Sequence, residues 1–185
     1  MPIPWPTRTT PTDRPLTGAD LRGHRLVRVD LTGADLTGTR FDSANLRQAT
    51  LRGVRATRAS FLGTRMVRAD LQGAFLRGAH LSSADLSGAS LRRADLTGAV
   101  LAGANMFGVD LRDADLTGAD LRRVTLEAAT LRGAVLCGAD LTGARVATAD
   151  LRAVDCDEDT LWPDGILRPR ASDPVRMSLW RRQEA

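Results

Sequence analysis

Two histidines, two cysteines and twenty-two carboxylates are the side chains from which this chain would have to assemble a reactive centre. His24 and His80 are too few and too far apart for a metal site of ordinary ligand spacing. Cys137 and Cys156 are too few for a disulfide-stapled domain. Paired carboxylates such as Asp113 and Asp115 recur so regularly along the chain that they read as solvated faces rather than acid–base pairs. Gly-x-x-x-x-Gly spacings would suggest a phosphate loop only outside a regular recurrence of glycine, and here they follow that recurrence. The expectation is a non-enzymatic protein with no catalytic residues, metal, cofactor or small-molecule substrate.

Charge is the remaining chemistry. The 185 residues include 26 arginines and no lysine against 22 acids, a net charge of +4, and the pI is near 10.6. The charge is unevenly placed. Residues 16–80 hold 11 Arg and 5 Asp, whereas residues 81–158 hold 8 Arg and 12 acids. One half is therefore +6 and the next −4, and each needs a scaffold that fixes where its charges point.

That scaffold is a five-residue period. Of 26 leucines, 23 stand at numbers ending in 1 or 6, and 16 of 17 glycines at numbers ending in 3 or 8. Between Leu16 and Leu151 there are 28 such centres, of which 22 are Leu and the others Phe41, Ala56, Phe61, Met66, Met106 and Val146. Two residues before each centre the side chain is small, with Ala at 20 of the 27 positions from 19 to 149 and only His24 neither Ala, Val nor Thr. A period of five fits neither a helix nor a continuous strand. It fits a short extended piece, on which Ala and Leu point the same way, followed by a turn whose Gly supplies a positive φ. Repetition winds the chain into a coil, apolar inside and polar outside.

Consecutive units read AlaAspLeuThrGly, as at 34–38, 94–98, 114–118 and 139–143. In this the chain resembles the pentapeptide-repeat proteins, whose unit is Ala-(Asp/Asn)-Leu-x-x, over about 140 residues. The resemblance implies an all-β, right-handed quadrilateral β-helix with four pentapeptides per coil. About seven coils at ~4.8 Å each give a rod roughly 34 Å long. Phe41 and Phe61, 20 apart, should stack on one face, and Ala56 should lie opposite Met66.

The ends differ in composition. Residues 1–15 hold five of eight prolines and read as a Pro-rich tail, residues 16–158 as the β-helix, and residues 159–185 as a C-terminal cap. Trp162-Pro163-Asp164-Gly165 resembles the Trp-Pro-x-Gly closure of the family. Asp173-Pro174 offers an N-cap and first-turn proline. The spacing of Val175, Met177, Leu179 and Trp180 then predicts a short helix, as a cap over the last coil or a homodimer contact.

Residues 20 apart share a face. Arg25, Arg28, Arg47, Arg65 and Arg68 cluster with no acid among them, whereas Arg52, Arg92, Arg112, Arg132 and Arg152 stand beside Asp70, Asp110 and Asp150 in a compensated ladder. Leu62, Phe75, Val100, Phe107 and Val135 should face outward. The leading expectation is a rigid protein-interaction scaffold, monomeric or paired through its C-terminal end. The resemblance supplies an alternative, since some members bind DNA gyrase or topoisomerase IV by imitating duplex DNA and so protect against topoisomerase poisons. Asp85, Asp95, Asp110, Asp115, Asp120, Asp140 and Asp150 would then stand for phosphates, although the net charge is positive and no long loop interrupts the coils. A further alternative is nucleic-acid binding by the arginine cluster, driven by phosphate and steeply salt-dependent. No cationic start with an apolar stretch marks a signal peptide. The longest uncharged run, residues 96–109, is short of a membrane span. A cytoplasmic, bacterial protein is expected.

Overall fold

The structure, a computed structural model, describes residues 16–166. One parallel bridge forms at every fifth residue, to the residue 20 further on, from Asp20↔Arg40 to Val135↔Asp155. Four ladders result, one per side of each coil, and four pentapeptides close each coil. In each unit the centre N–H donates to the next coil and the residue before it donates back. Leu101 N–H reaches Asp120 O at 2.8 Å, and Asp120 N–H reaches Ala99 O at 3.0 Å. The turn closes when Ala104 N–H donates to Leu101 O at 2.9 Å. Repetition thereby satisfies the backbone that burial would otherwise penalise.

The turn takes a positive φ two residues after every centre from Leu16 to Leu151 except Val146. Glycine takes it there at no steric cost, as at Gly98 (φ 62°). Eleven other residues take it too, five of them arginines: Arg28, Arg58, Arg68, Arg93 and Arg123. For an L residue this region costs about 1–2 kcal/mol. The rest of the coil pays that penalty back through burial. Every centre from Leu31 to Leu141 is fully buried, and each large one contributes roughly 1.5–3 kcal/mol. Phe41 and Phe61 stack as expected, and Ala56 and Met66 are both fully buried.

Three polar side chains enter the core in the small-residue position, and each is satisfied in the same way. Thr39, Thr64 and Thr160 donate their hydroxyls to Leu16 O, Phe41 O and Leu136 O at 2.5, 2.7 and 2.9 Å. The hydroxyl thus joins the inter-coil ladder instead of burying an unpaired donor.

The ends show where stacking stops. Leu16 and Leu21 retain 8% exposure because no described coil lies on their outer side. The rungs of that edge, Asp20, Arg25, Asp30 and Asp35, are all charged, a composition that discourages edge-to-edge strand pairing. At the other end the ladder runs past residue 158, through one extra residue. Asp140 bridges Leu161, 21 residues on rather than 20. Leu161 is therefore a rung, 51% exposed, although its number keeps the phase of the buried centres. Trp162 follows it, partly buried against the core. Cys156, whose number keeps the phase of the buried centres, is only partly buried on this last coil. The described residues contain no helix, so the helical cap lacks support here. Val175, Met177, Leu179 and Trp180 lie outside the described residues.

Candidate interaction surface

The aspartate before each centre first serves the turn. Its Oδ1 accepts the backbone N–H two residues on, as at Asp30–Thr32 (2.9 Å), Asp85–Ser87 (3.2 Å), Asp115–Thr117 (2.9 Å) and Asp140–Thr142 (2.9 Å). Asn45 and Asn105 do the same for Arg47 and Phe107, at 3.3 and 3.2 Å. This is an Asx-type bond in which only an acceptor oxygen is needed. Asp and Asn are interchangeable at this position for that reason.

When the side chain two residues on is Arg, it folds back on the same carboxylate. Arg112 reaches Asp110 at 2.5 Å, and Arg22, Arg122 and Arg152 reach Asp20, Asp120 and Asp150 at 2.6 Å. Hydrogen bonding from Arg22 holds the Asp20 carboxyl at about 2. The same side-chain bond lowers Asp110, Asp120 and Asp150 against the opposing effect of burial. Burial alone would raise Asp95, but bonds from Arg77 and Thr97 outweigh it and lower the group. Arg52–Asp70 (2.5 Å) bridges neighbouring coils instead.

The seven candidate acidic residues are spread over all four ladders rather than gathered on one surface. Asp95, Asp110, Asp120, Asp140 and Asp150 each have an arginine within 4.0 Å. Asp85 is engaged by Ser87 and Asn105, and Asp115 by Thr117. One ladder does carry an acidic strip. Asp95, Asp115, Val135 and Asp155 succeed each other on it, with Asp157 and Glu158 beside its end. Sequence reading left out Asp155, although it keeps the 20-residue register, and also Asp157 and Glu158, which lie where the extra residue after Cys156 breaks that register.

The five basic candidates, in contrast, come together. Arg25 and Arg65 flank Asn45 on one ladder, and Arg28, Arg47 and Arg68 stand on the turns of the same three coils. All five are exposed. None forms an ion pair among the described residues, and Arg28 Nε donates to Gln48 Oε1 at 2.8 Å. Gln48 and Asn45 belong to this surface and were missed by a search for charge alone.

No group of side chains among the described residues suits a metal ion. His24 is half-buried, its Nδ1 3.1 Å from Arg22 O, and His80 is exposed. Neither cysteine is in a disulfide. Desolvation, then the charges of Asp155 and Asp157, raise the Cys137 thiol, the opposite of what a reactive thiolate needs. Leu62, Phe75 and Phe107 face outward, each at least half exposed, but on three different sides. No helix among the described residues is long and apolar enough to cross a membrane.

Comparison with known proteins accords with this architecture. Solved structures of the same shape include HetL, a pentapeptide repeat protein involved in heterocyst differentiation regulation in the cyanobacterium Nostoc sp. It is 27% identical, with a TM-score of 0.51 over 82% of this chain and 86% of that one. Full-length QnrB1, a plasmid-mediated fluoroquinolone resistance protein, is 21% identical, with a TM-score of 0.61 over 80% and 79% of the two chains. At that identity the likeness is one of fold, a right-handed β-helix. No curated protein matches by sequence. The family description "Pentapeptide repeats" matches in eight copies, over residues 16–48, 44–82, 84–123 and 119–155. With the five-residue period, the inter-coil ladders and this match in agreement, the chain belongs to the pentapeptide-repeat family.

Proposed function

We propose that this protein is a non-enzymatic, rigid interaction scaffold of the cytoplasm whose flat faces dock macromolecular partners, proteins among them. The observation that carries the reading is the division of labour between inside and outside. Interior side chains are consumed by packing, and the turn carboxylates by backbone N–H groups, so the outward charges are what is left to act. Those charges sit on a hydrogen-bonded ladder, and an array held rigid before binding loses little conformational entropy on docking. Affinity capture with the intact chain, run beside a variant with Arg25, Arg28, Arg47, Arg65 and Arg68 changed to Gln, tests the reading. A partner retained by one and lost by the other supports it. Identical retention by both would remove the basic face from the scaffold's function.

The acidic strip of Asp95, Asp115 and Asp155 favours a second reading, a DNA-mimicking ligand of DNA gyrase or topoisomerase IV. It is narrower than the sequence suggested, since arginines accompany five of the seven candidate aspartates. Supercoiling and drug-trapped cleavage assays at micromolar excess decide it, and unchanged gyrase activity in both would end it.

A further inference from the structure

On the face bearing the arginine cluster, the outward residues of three successive coils form a three-by-three array. Arg25, Arg28, Arg65 and Arg68 take its corners and Arg47 its centre, and Val27, Asn45, Gln48 and Val67 fill the positions between. The array is bounded on the next rung by an acid, Asp85, whose Oδ1 accepts from Ser87 and Asn105. Further along the same face, charge is compensated within the rod by the pair Arg145–Glu127 at 2.9 Å.

On this face three successive turns carry side chains at the position where most turns of the rod carry glycine. Arg28, Gln48 and Arg68 occupy the turn position at φ 59°, 57° and 55°, whereas Gly88 and Gly108 hold it in the next two coils. Eight other non-glycine residues take the same conformation, Ala128 and Ala153 among them, so the backbone assigns no role by itself, and the role of this face is read from its side chains. That role needs only charge and hydrogen bonding. The array has no aromatic side chain on which a base would stack, and no large apolar anchor of the kind that dominates protein–protein hot spots. Along this face the first such residue, Phe107, stands two coils beyond, and Leu62 faces the adjoining side.

We propose that this array binds the phosphate backbone of duplex DNA without reading its sequence. The proposal rests on the scaffold reading above and names the ligand of one of its faces. Guanidinium groups match phosphate with two parallel hydrogen bonds. Two coils separate the corner rows, about 10 Å at the usual strand spacing. This lies between the widths of the minor and major grooves, about 6 and 12 Å. Long arginine side chains can take up the difference, so the two rows would meet phosphates on either side of a groove, with Arg47 over it.

The test is fluorescence anisotropy with a short mixed-sequence duplex, across a salt series, using the full chain. Neutralising five phosphates predicts a slope of log K against log salt of about −4.5, or a roughly 500-fold loss of affinity between about 50 and 200 mM salt. Arg47→Gln should lower that slope by about 0.9. The double variant Arg28→Gly and Arg68→Gly separates binding from folding, because it relieves the positive φ. It should weaken binding while leaving the melting temperature unchanged or higher, and undiminished binding by it would overturn the assignment. So would the absence of binding at about 100 µM duplex in low salt, or equal binding by the variant with all five arginines changed to Gln. If nuclease-treated lysate yields a protein held through these arginines while the duplex stays free, the duplex assignment falls and the scaffold reading stands. If neither is held, the duplex assignment falls and the basic face has no part in the scaffold's function.

Discussion

The rings of Phe41 and Phe61 stack one coil apart inside the rod, with centroids 5.1 Å apart and planes within 3° of parallel. Both are fully buried at positions where most coils place Leu. Phe61→Ala should therefore cost about 3–5 kcal/mol, because the rigid coils above and below cannot collapse into the space. Phe61→Leu restores the common residue of the repeat and should cost less than about 1.5 kcal/mol. Urea denaturation midpoints compare them, and an alanine variant as stable as the parent would contradict the packing.

Leu101 lies mid-rod and fully buried, between coils centred on Leu81 and Leu121. Leu101→Asp would place a carboxylate there with no partner and should be severely destabilising, by several kcal/mol or more. Thr97, one position past its centre, bonds Asp95 from the surface, and Thr97→Ala should cost no more than about 1 kcal/mol. Thermal melts of the two variants should differ widely. Similar melts would refute the inward assignment of the centres.

Asp110 separates the turn role of the repeat aspartate from its charge. Its Oδ1 accepts Arg112 N–H at 3.2 Å while both oxygens take the Arg112 guanidinium. Asp110→Asn keeps the acceptor and loses only the ion pair, as Asn45 and Asn105 do naturally. It should change stability by less than about 1 kcal/mol, the scale of an exposed pair. Asp110→Ala loses both and should cost about 1–2 kcal/mol. Equal losses for the two, measured by denaturation, would mean that charge rather than the turn bond matters.

Much of this fold was legible because its determinants are local. A Leu centre, an Ala two before it and a Gly two after it each act within one unit, so a strict period exposes them all. The face carrying Arg25, Arg28, Arg47, Arg65 and Arg68 followed directly from counting by 20. Pairing was not legible, since an arginine after a centre can fold back on its own strand, as Arg112 does, or reach the next coil, as Arg52 does. Leu161 defeated the period for a different reason. One extra residue shifts it from buried centre to exposed rung while its number stays in phase.

Acid should unfold the rod through its turn carboxylates. Asp20 titrates at about 2, and Asp110, Asp120 and Asp150 below the ordinary value of 3.8, each because the arginine two residues on donates to the charged form. Groups whose pKa is lower folded than unfolded bind fewer protons when folded, so unfolding free energy rises with pH across that interval. Their stabilisation is complete above the unfolded value, near pH 4, and disappears as pH falls through the folded values toward 2. Melting temperature should accordingly be flat from about pH 7 to 5 and fall steeply below about pH 4. Replacing Asp110, Asp120 and Asp150 together with Asn, which keeps the turn acceptors, should flatten that acid limb. A parent protein that melts at the same temperature at about pH 2 as at neutrality would show that these carboxylates contribute nothing through their charge.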